Sequence, residues 1–453
     1  MWASDFLAKA CGAQISGPTQ QFTSVSTDTR TLQPGALYVA LHGENFDGHR
    51  FVEQAIKAGA TGILVSQPVE ASAEVAVMQV DDTLIALQQM AHASRLAFDG
   101  PVIAITGSNG KTTTKEMIAA VLRAHYGEDA VLATIGNLNN HIGVPLTLLA
   151  RKSSHKVAVI EMGMNHFGEI ALLTGLAEPT VAVITNAGPA HLEGVGSIEG
   201  VAEAKGEIFS GLRSGGVAVI NADDYFAPYW QVVARQSAQR TFGFHAHATV
   251  TSHYAPPSAL EIQMPARGCS VQVTLNQVGE HNASNAMAAA AVCDALGVPQ
   301  NAIKRGLESA SNIGGRLSVQ PFINGAQLID DSYNANPASM LAAAEVLAQA
   351  SGKRLVVLGD MGELGAASDA LHAQLAVDIR QKKFDAVLTL GPRMKRVIQH
   401  FGAHAIAFDD VEALAAALYP QLTPDATLLI KGSRSMATER VIKKLEQMSR
   451  GAH

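Results

Sequence analysis

Pro101-Val102-Ile103-Ala104-Ile105-Thr106-Gly107-Ser108-Asn109-Gly110-Lys111-Thr112-Thr113 is the stretch that decides how this chain is read. The apolar run Val102 to Ile105 has the make-up of a parallel strand covered on both faces. Gly107 and Gly110 let a backbone wrap closely around an anion, and Lys111 to Leu122 reads as the helix that follows. The first turn of such a helix presents N–H groups with no partner of their own, so an anion site exists before any side chain is counted. Lys111 adds a point charge suited to β- and γ-phosphates, and the Thr112 hydroxyl is an oxygen ligand for Mg²⁺. The longer pattern G-x-x-x-x-G-K-[ST] fails at its first glycine, where this chain has Ile105. The shorter T-G-x-x-G-K-T-T form fits in full. The expectation is a site for ATP or a relative.

At 453 residues the chain is too long for one core and is expected to form about three domains. Hydrophobic residues at 47% and charged ones at 16% exclude a disordered chain. A net charge of −7, with no basic run, argues against nucleic acid as a partner. Cys11, Cys269 and Cys293 are isolated and odd in number, so they form neither a disulfide framework nor a zinc pattern. Met1 to Gly12 lacks the basic-then-apolar pattern of a signal peptide, and every apolar run is too short to span a bilayer. A soluble, cytoplasmic monomer without membrane insertion is expected.

Working outward from the phosphate loop, the chain divides into residues 1–83, 84–313 and 314–453. In the first, Ala36 to Leu41, Gly62 to Ser66 and Val75 to Val80 read as strands, with a helix from about His49 to Ala60; Asp81-Asp82 caps a helix running toward Phe98. In the second, Val157 to Glu161, Val181 to Thr185 and Gly216 to Ile220 join the phosphate-loop strand in a doubly wound parallel sheet. Beyond Asn221 the pattern loosens; Ala246 to Val278 alternates like antiparallel strands, and Ala283 to Leu296 is an alanine-rich helix. In the third, after a hinge at Gly314-Gly315, Leu328 to Asp331, Arg354 to Gly359, Asp385 to Leu390, Ala405 to Phe408 and Thr427 to Lys431 form a second open, mostly parallel α/β sheet. Ligands in such sheets sit beyond the carboxyl ends of the strands, where Asp331, Asp360 and Lys431 fall.

Several polar groups stand at those ends. Glu161 closes an apolar strand where a phosphate-loop fold places its metal-side acid; the bland alternative is a cap for the next helix. His191 lies on a Gly-Pro loop, better placed for a site than most lone histidines. Lys205 sits on a predicted helix, where a lysine is ordinarily solvated. Asn137, Asn139, Asn140 and His141 are either turn residues or hydrogen-bonders for a sugar or peptide. Asn282 reads as a helix cap, and Asn285 as a reader of a nucleobase edge. Asp330-Asp331-Ser332-Tyr333-Asn334-Ala335-Asn336-Pro337 is the densest polar loop, with Pro337 suited to open a helix.

Taken together, Thr106 to Thr113, Glu161, His191, Lys205, His281-Asn282-x-x-Asn285, Arg316 and Asp331 resemble, in order, the scattered elements of the ATP-dependent Mur ligases. Asp331-Ser332-Tyr333-Asn334-Ala335-Asn336-Pro337-Ala338-Ser339-Met340, Lys431-Gly432-Ser433-Arg434 and Ser26-Thr27-Asp28-Thr29-Arg30 with Asp47-Gly48-His49 resemble the branch that adds D-alanyl-D-alanine to UDP-N-acetylmuramoyl-tripeptide. The resemblance implies that Ser26, Asp28, Thr29, Arg30, Asp47 and His49 hold the UDP part. It implies that Gly107, Ser108, Asn109, Gly110, Lys111, Thr112 and Thr113 cradle ATP, with Thr112, Glu161 and His191 on its Mg²⁺. It further implies a carbamylated Lys205 on a second Mg²⁺, and contacts from Asn282, Asn285, Arg316 and Asp331 to adenine, phosphates and ribose. Asn334, Asn336 and Arg434 would place the dipeptide; Lys111, His191, Lys205 and Arg316 form the catalytic set.

Overall fold

The computed structural model describes residues 1–44, 46–245, 247–311 and 314–451. Ala246, where the antiparallel stretch was expected to begin, and residue 313, the expected end of the second segment, lie outside them.

The phosphate-loop strand, Val102–Thr106, is fully buried at the centre of a six-stranded sheet. All of its neighbours run parallel: Val131–Ala133, Val157–Glu161, the loop strand itself, Val181–Ile184, Val217–Asn221 and Ala238–Phe242, in that spatial order. Each Ile or Val fully removed from water here contributes about 1.5–3 kcal/mol, and the β-branched run supplies such residues on both faces. The chain leaves the loop strand to one side and later returns on the other, so its carboxyl end is a topological switch point. Register sets Ile105 beside Glu161 and Thr106 beside Ile184, which brings the Glu161 carboxylate and the following loop to the same edge.

Three further layers frame that edge. Residues Gln14–Ser16, Ala76–Gln79, Gly62–Val65, Leu37–Val39 and Val25–Ser26 form an N-terminal sheet whose first strand is antiparallel. The helix expected from about His49 is shorter: a 3₁₀ turn over Gly48–Phe51 precedes an α-helix of only Val52–Lys57. Asp82 caps helix Thr83–Leu96 by accepting from the Leu84 and Ile85 N–H groups. Strands Thr251–Ala255, Ala259–Met264 and Cys269–Thr274 form an antiparallel sheet that packs its Leu260, Ile262, Val271 and Val273 against the alanine-rich helix. That helix is Glu280–Ala295, capped at Gly279; Asn282 lies inside it and donates to the Val278 carbonyl, so Asn282 is not its cap.

The third sheet orders Ser318–Pro321, Gln327–Asp331, Ala426–Lys431, Lys353–Gly359, Ala386–Leu390 and Ala405–Phe408, with only the first antiparallel. Pro337 opens helix Pro337–Ala348, and Asn336 caps it in a reciprocal pair with Ser339. Asp360, at a strand end, spends its carboxylate on the Arg393 and Met394 N–H groups and so serves the next helix rather than a ligand. Among the described residues no helix is long and apolar enough to cross a membrane.

Candidate active site

The phosphate loop is a turn only glycine can make at two points. Gly107 has φ +153 and a side chain there would meet Thr185 Oγ1 at 1.8 Å; Gly110 has φ +79 and would meet Asn285 Oδ1 at 2.2 Å. The loop is held from outside by Thr185 Oγ1 donating to the Asn109 carbonyl at 2.6 Å, by Asn186, and by Ser108 on Gly188. Lys111 folds back so that its Nζ donates to the Gly107 carbonyl at 2.7 Å. Burial lowers its ammonium pKa, Glu161 opposes that shift, and Arg316 adds to it. A lysine in that balance gains most from a polyanion arriving in the loop.

Glu161, 2% exposed, is fixed at three points: Thr112 Oγ1 donates to its Oε2 at 2.8 Å, Asn139 Nδ2 to its Oε1 at 2.9 Å, and its N–H donates to Thr134 Oγ1 at 2.9 Å. The helix-cap alternative for Glu161 is not the one realised. The hydroxyl and carboxylate oxygens of Thr112 and Glu161 suit a hard cation. Among the described residues no three His, Cys, Asp or Glu side chains cluster as a cage. Mg²⁺ does not need one, since it keeps several waters and binds through one or two carboxylates plus the phosphates of its nucleotide.

Lys205, on helix Ile198–Gly206, is 1% exposed rather than solvated. Burial, and then the Lys111 charge, push its pKa well below that of an ordinary lysine. His191 caps the short helix Leu192–Val195 in a left-handed conformation, φ +58, and its Nδ1 lies 2.7 Å from Glu363 Oε2 of the third sheet's loops.

From the third segment, Asp331 and Lys431 face each other in register on adjacent strands, and Lys431 Nζ donates to Asp331 Oδ2 at 2.6 Å and to the Asn334 carbonyl at 2.8 Å. Arg316 stacks on the Tyr333 ring at 4.2 Å, with Arg434 near the same ring at 5.8 Å. Asn336 Nδ2 donates to Asn109 Oδ1 at 2.8 Å, a direct link from the third segment to the phosphate loop.

Most of these groups line one cleft of about 740 Å³. Ser108 to Lys111, Thr113, Asn137, Asn140, His141, Glu161, His191, Asn282, Asn285, Arg316, Asp331, Asn334, Asn336 and Arg434 all border it. Thr112, hydrogen-bonded to Glu161, and Lys205 do not border it. Asn140 is also committed to capping the next helix through the Ile142 and Gly143 N–H groups. The six candidates of the first segment lie elsewhere. Asp28 pairs with Arg30, Ser26 hydrogen-bonds the Asp28 backbone, and Thr29 lies between. Asp47 caps the Gly48–Phe51 turn, while His49 bonds Asp47 and the Ser66 N–H through its two ring nitrogens. Thr134 and Glu363 were not among the sequence candidates, and Asn139 and Lys431 were noted without a specific role in the site. Asn139 and Lys431 stood inside motifs already singled out; Thr134 and Glu363 carried no signal of their own.

Models of three Mur ligase regions match the chain: the family's catalytic domain at residues 21–95, the middle domain at 105–293 and the glutamate ligase domain at 315–434. The chain belongs to the Mur ligase family. A relative from Escherichia coli named UDP-N-acetylmuramoyl-tripeptide–D-alanyl-D-alanine ligase is 41% identical over 450 residues, 97% of each chain. The crystal structure of MurF from Acinetobacter baumannii superposes with a TM-score of 0.90 at 34% identity, covering 98% of this chain and 99% of that one. MurF from Thermotoga maritima, solved in complex with ADP, superposes with a TM-score of 0.82 at 28% identity, covering 95% and 98%. The expected α/β architecture, with a smaller N-terminal part, a central phosphate-loop sheet and a C-terminal open sheet, is the one observed.

Proposed function

We propose that this chain is an ATP-dependent amide ligase that joins D-alanyl-D-alanine to UDP-N-acetylmuramoyl-tripeptide, releasing ADP and phosphate, in the cytoplasmic stage of peptidoglycan precursor synthesis. The observation that carries this reading is the convergence of the phosphate loop and the Asp331–Asn336 loop on one cleft, in a chain that aligns end to end with ligases of that name.

A carboxylate is a poor electrophile, so the tripeptide's free carboxylate first attacks the γ-phosphate, giving an acyl phosphate and ADP. Two anions meet in that step. Lys111, turning from the Gly107 carbonyl to the phosphate, offsets the repulsion from a preorganised position. Mg²⁺, held by Thr112 and Glu161, would neutralise phosphate charge. His191 would join Thr112 and Glu161 on that ion, and a carbamylated Lys205 is the proposed donor for a second. Carbamylation requires an uncharged amine, and burial, which pulls the Lys205 pKa down, favours that form. The neutral amine of the dipeptide then attacks the acyl phosphate through a tetrahedral intermediate, and phosphate leaves. Asn334, Asn336 and Arg434 would orient the dipeptide, and Asn137, Asn140 and His141, which border the same cleft, would hold the donor peptide. Asn282, Asn285, Arg316 and Asp331 are assigned to the nucleotide. The UDP group falls to Ser26, Asp28, Thr29, Arg30, Asp47 and His49. The chain is proposed to act as a monomer.

The test is ADP release coupled to product detection. Release that requires both the UDP-tripeptide and D-alanyl-D-alanine is expected; release that is indifferent to the dipeptide would refute the assignment.

A further inference from the structure

We propose that Glu363 is a positioning residue that fixes the His191 ring from across the segment boundary, so that the metal side of the phosphate cleft is complete only when the third segment is docked on the second. The inference rests on the reading of His191 as a metal ligand.

The geometry is a carboxylate–imidazole pair at 2.7 Å, contributed by two different sheets. Imidazoles that bind metals commonly donate their other ring N–H to a carboxylate, which sets the tautomer and leaves the remaining nitrogen its lone pair. Glu363 Oε2 is the carboxylate oxygen within reach of Nδ1, in contact by distance but not aligned with the ring as a hydrogen bond, so that a turn of the ring would complete that role. One more contact holds the loops together, at a close backbone approach. The Glu193 N–H donates to the Glu363 carbonyl at 3.4 Å, and a side chain at Gly365 would stand 3.2 Å from Glu193 Cα.

Stability does not explain the arrangement. His191 and Glu363 both sit in the left-handed region, with φ +58 and +60, where non-glycine residues are strained. The Glu363 side chain is 57% exposed, and ion pairs so exposed return little stability. Strain held at a cleft, with no stability gained, points to a functional constraint.

Mn²⁺ serves as the probe, titrated by electron paramagnetic resonance in the presence of ADP, with folding checked by circular dichroism. Glu363→Ala and His191→Ala are each expected to weaken Mn²⁺ by about 10-fold. The double variant should be no weaker than His191→Ala alone. Glu363→Gln keeps an oxygen acceptor and should fall between wild type and Glu363→Ala. Wild-type Mn²⁺ affinity in Glu363→Ala, with His191→Ala weakened, overturns the inference and leaves the His191 assignment standing. Wild-type affinity in His191→Ala overturns both. Losses that add in the double variant overturn the positioning role.

Discussion

Replacing Lys431 with methionine keeps the side-chain volume and removes the charge that faces Asp331. In the native protein the two groups are 2.6 Å apart with side-chain exposures of 3% and 11%. At an effective dielectric near 20 the direct attraction is about 6 kcal/mol before the desolvation of both charges is subtracted. Removing one partner of such a pair generally costs about 3–5 kcal/mol. Asp331 retains the Leu317 N–H at 3.1 Å, which argues for the lower end. Burial already raises the Asp331 carboxyl above the ordinary aspartate value, and Lys431 is the largest influence pulling it back. Without Lys431 it would rise further. A group raised in the folded state contributes stability below its unfolded value and loses it as pH climbs through the folded one. The deficit of Lys431→Met is therefore greatest at neutral pH and shrinks toward pH about 4. With several lobes a single unfolding free energy is ill-defined. Amide hydrogen exchange of strand Ala426–Lys431 measures the local value instead. A loss under about 1 kcal/mol at pH 7, against the expected cost of stranding a buried charge, or a deficit that grows toward acid, would refute the reasoning. Adding Asp331→Asn should recover most of the loss.

Lys111→Ala should lower turnover by about 10²-fold or more with the fold intact, as expected for a preorganised charge; near-normal ATP-dependent ligation would remove its role. Glu161→Ala should shift the Mg²⁺ titration of activity to higher concentration, and an unchanged curve would eliminate it as a ligand. If Lys205 is carbamylated, ¹³C-bicarbonate should give a carbamate signal that Lys205→Arg lacks; the same signal in both would place the carbamate elsewhere. Gly110→Ala should cost at least about 1 kcal/mol, the strain of a left-handed alanine. It should also weaken nucleotide binding by displacing Asn285, and calorimetry with ADP checks both effects.

The fold was legible where burial made the sequence monotonous. Val102–Thr106, Val157–Glu161 and Val181–Ile184 are covered on both faces, and a short β-branched apolar run between turn residues reads as a buried strand. The edge strand Ala238–Phe242 escaped notice because its Gln239, Arg240 and Thr241 are only partly buried. Strands of two or three residues, such as Val25–Ser26, carry no period to detect. In the candidate site, residues attached to a motif could be picked out: Lys111, Thr112 and Glu161 follow from a loop and its neighbouring strand. Thr134 and Glu363 depend on which loops meet in space, and nothing local announces that. Lys205 shows the opposite failure. Its surroundings in sequence suggest a wet helix face, and only the packing reveals a dry one.

Asn336 does two jobs with one amide. Its oxygen starts helix Pro337–Ala348, and its nitrogen reaches Asn109. Aspartate would still start the helix but would present an acceptor to the Asn109 oxygen, while serine would be too short to span the gap. A compound wedged between this residue and the glycine-rich turn would therefore press on a position with few tolerable replacements, where resistance has little room to arise.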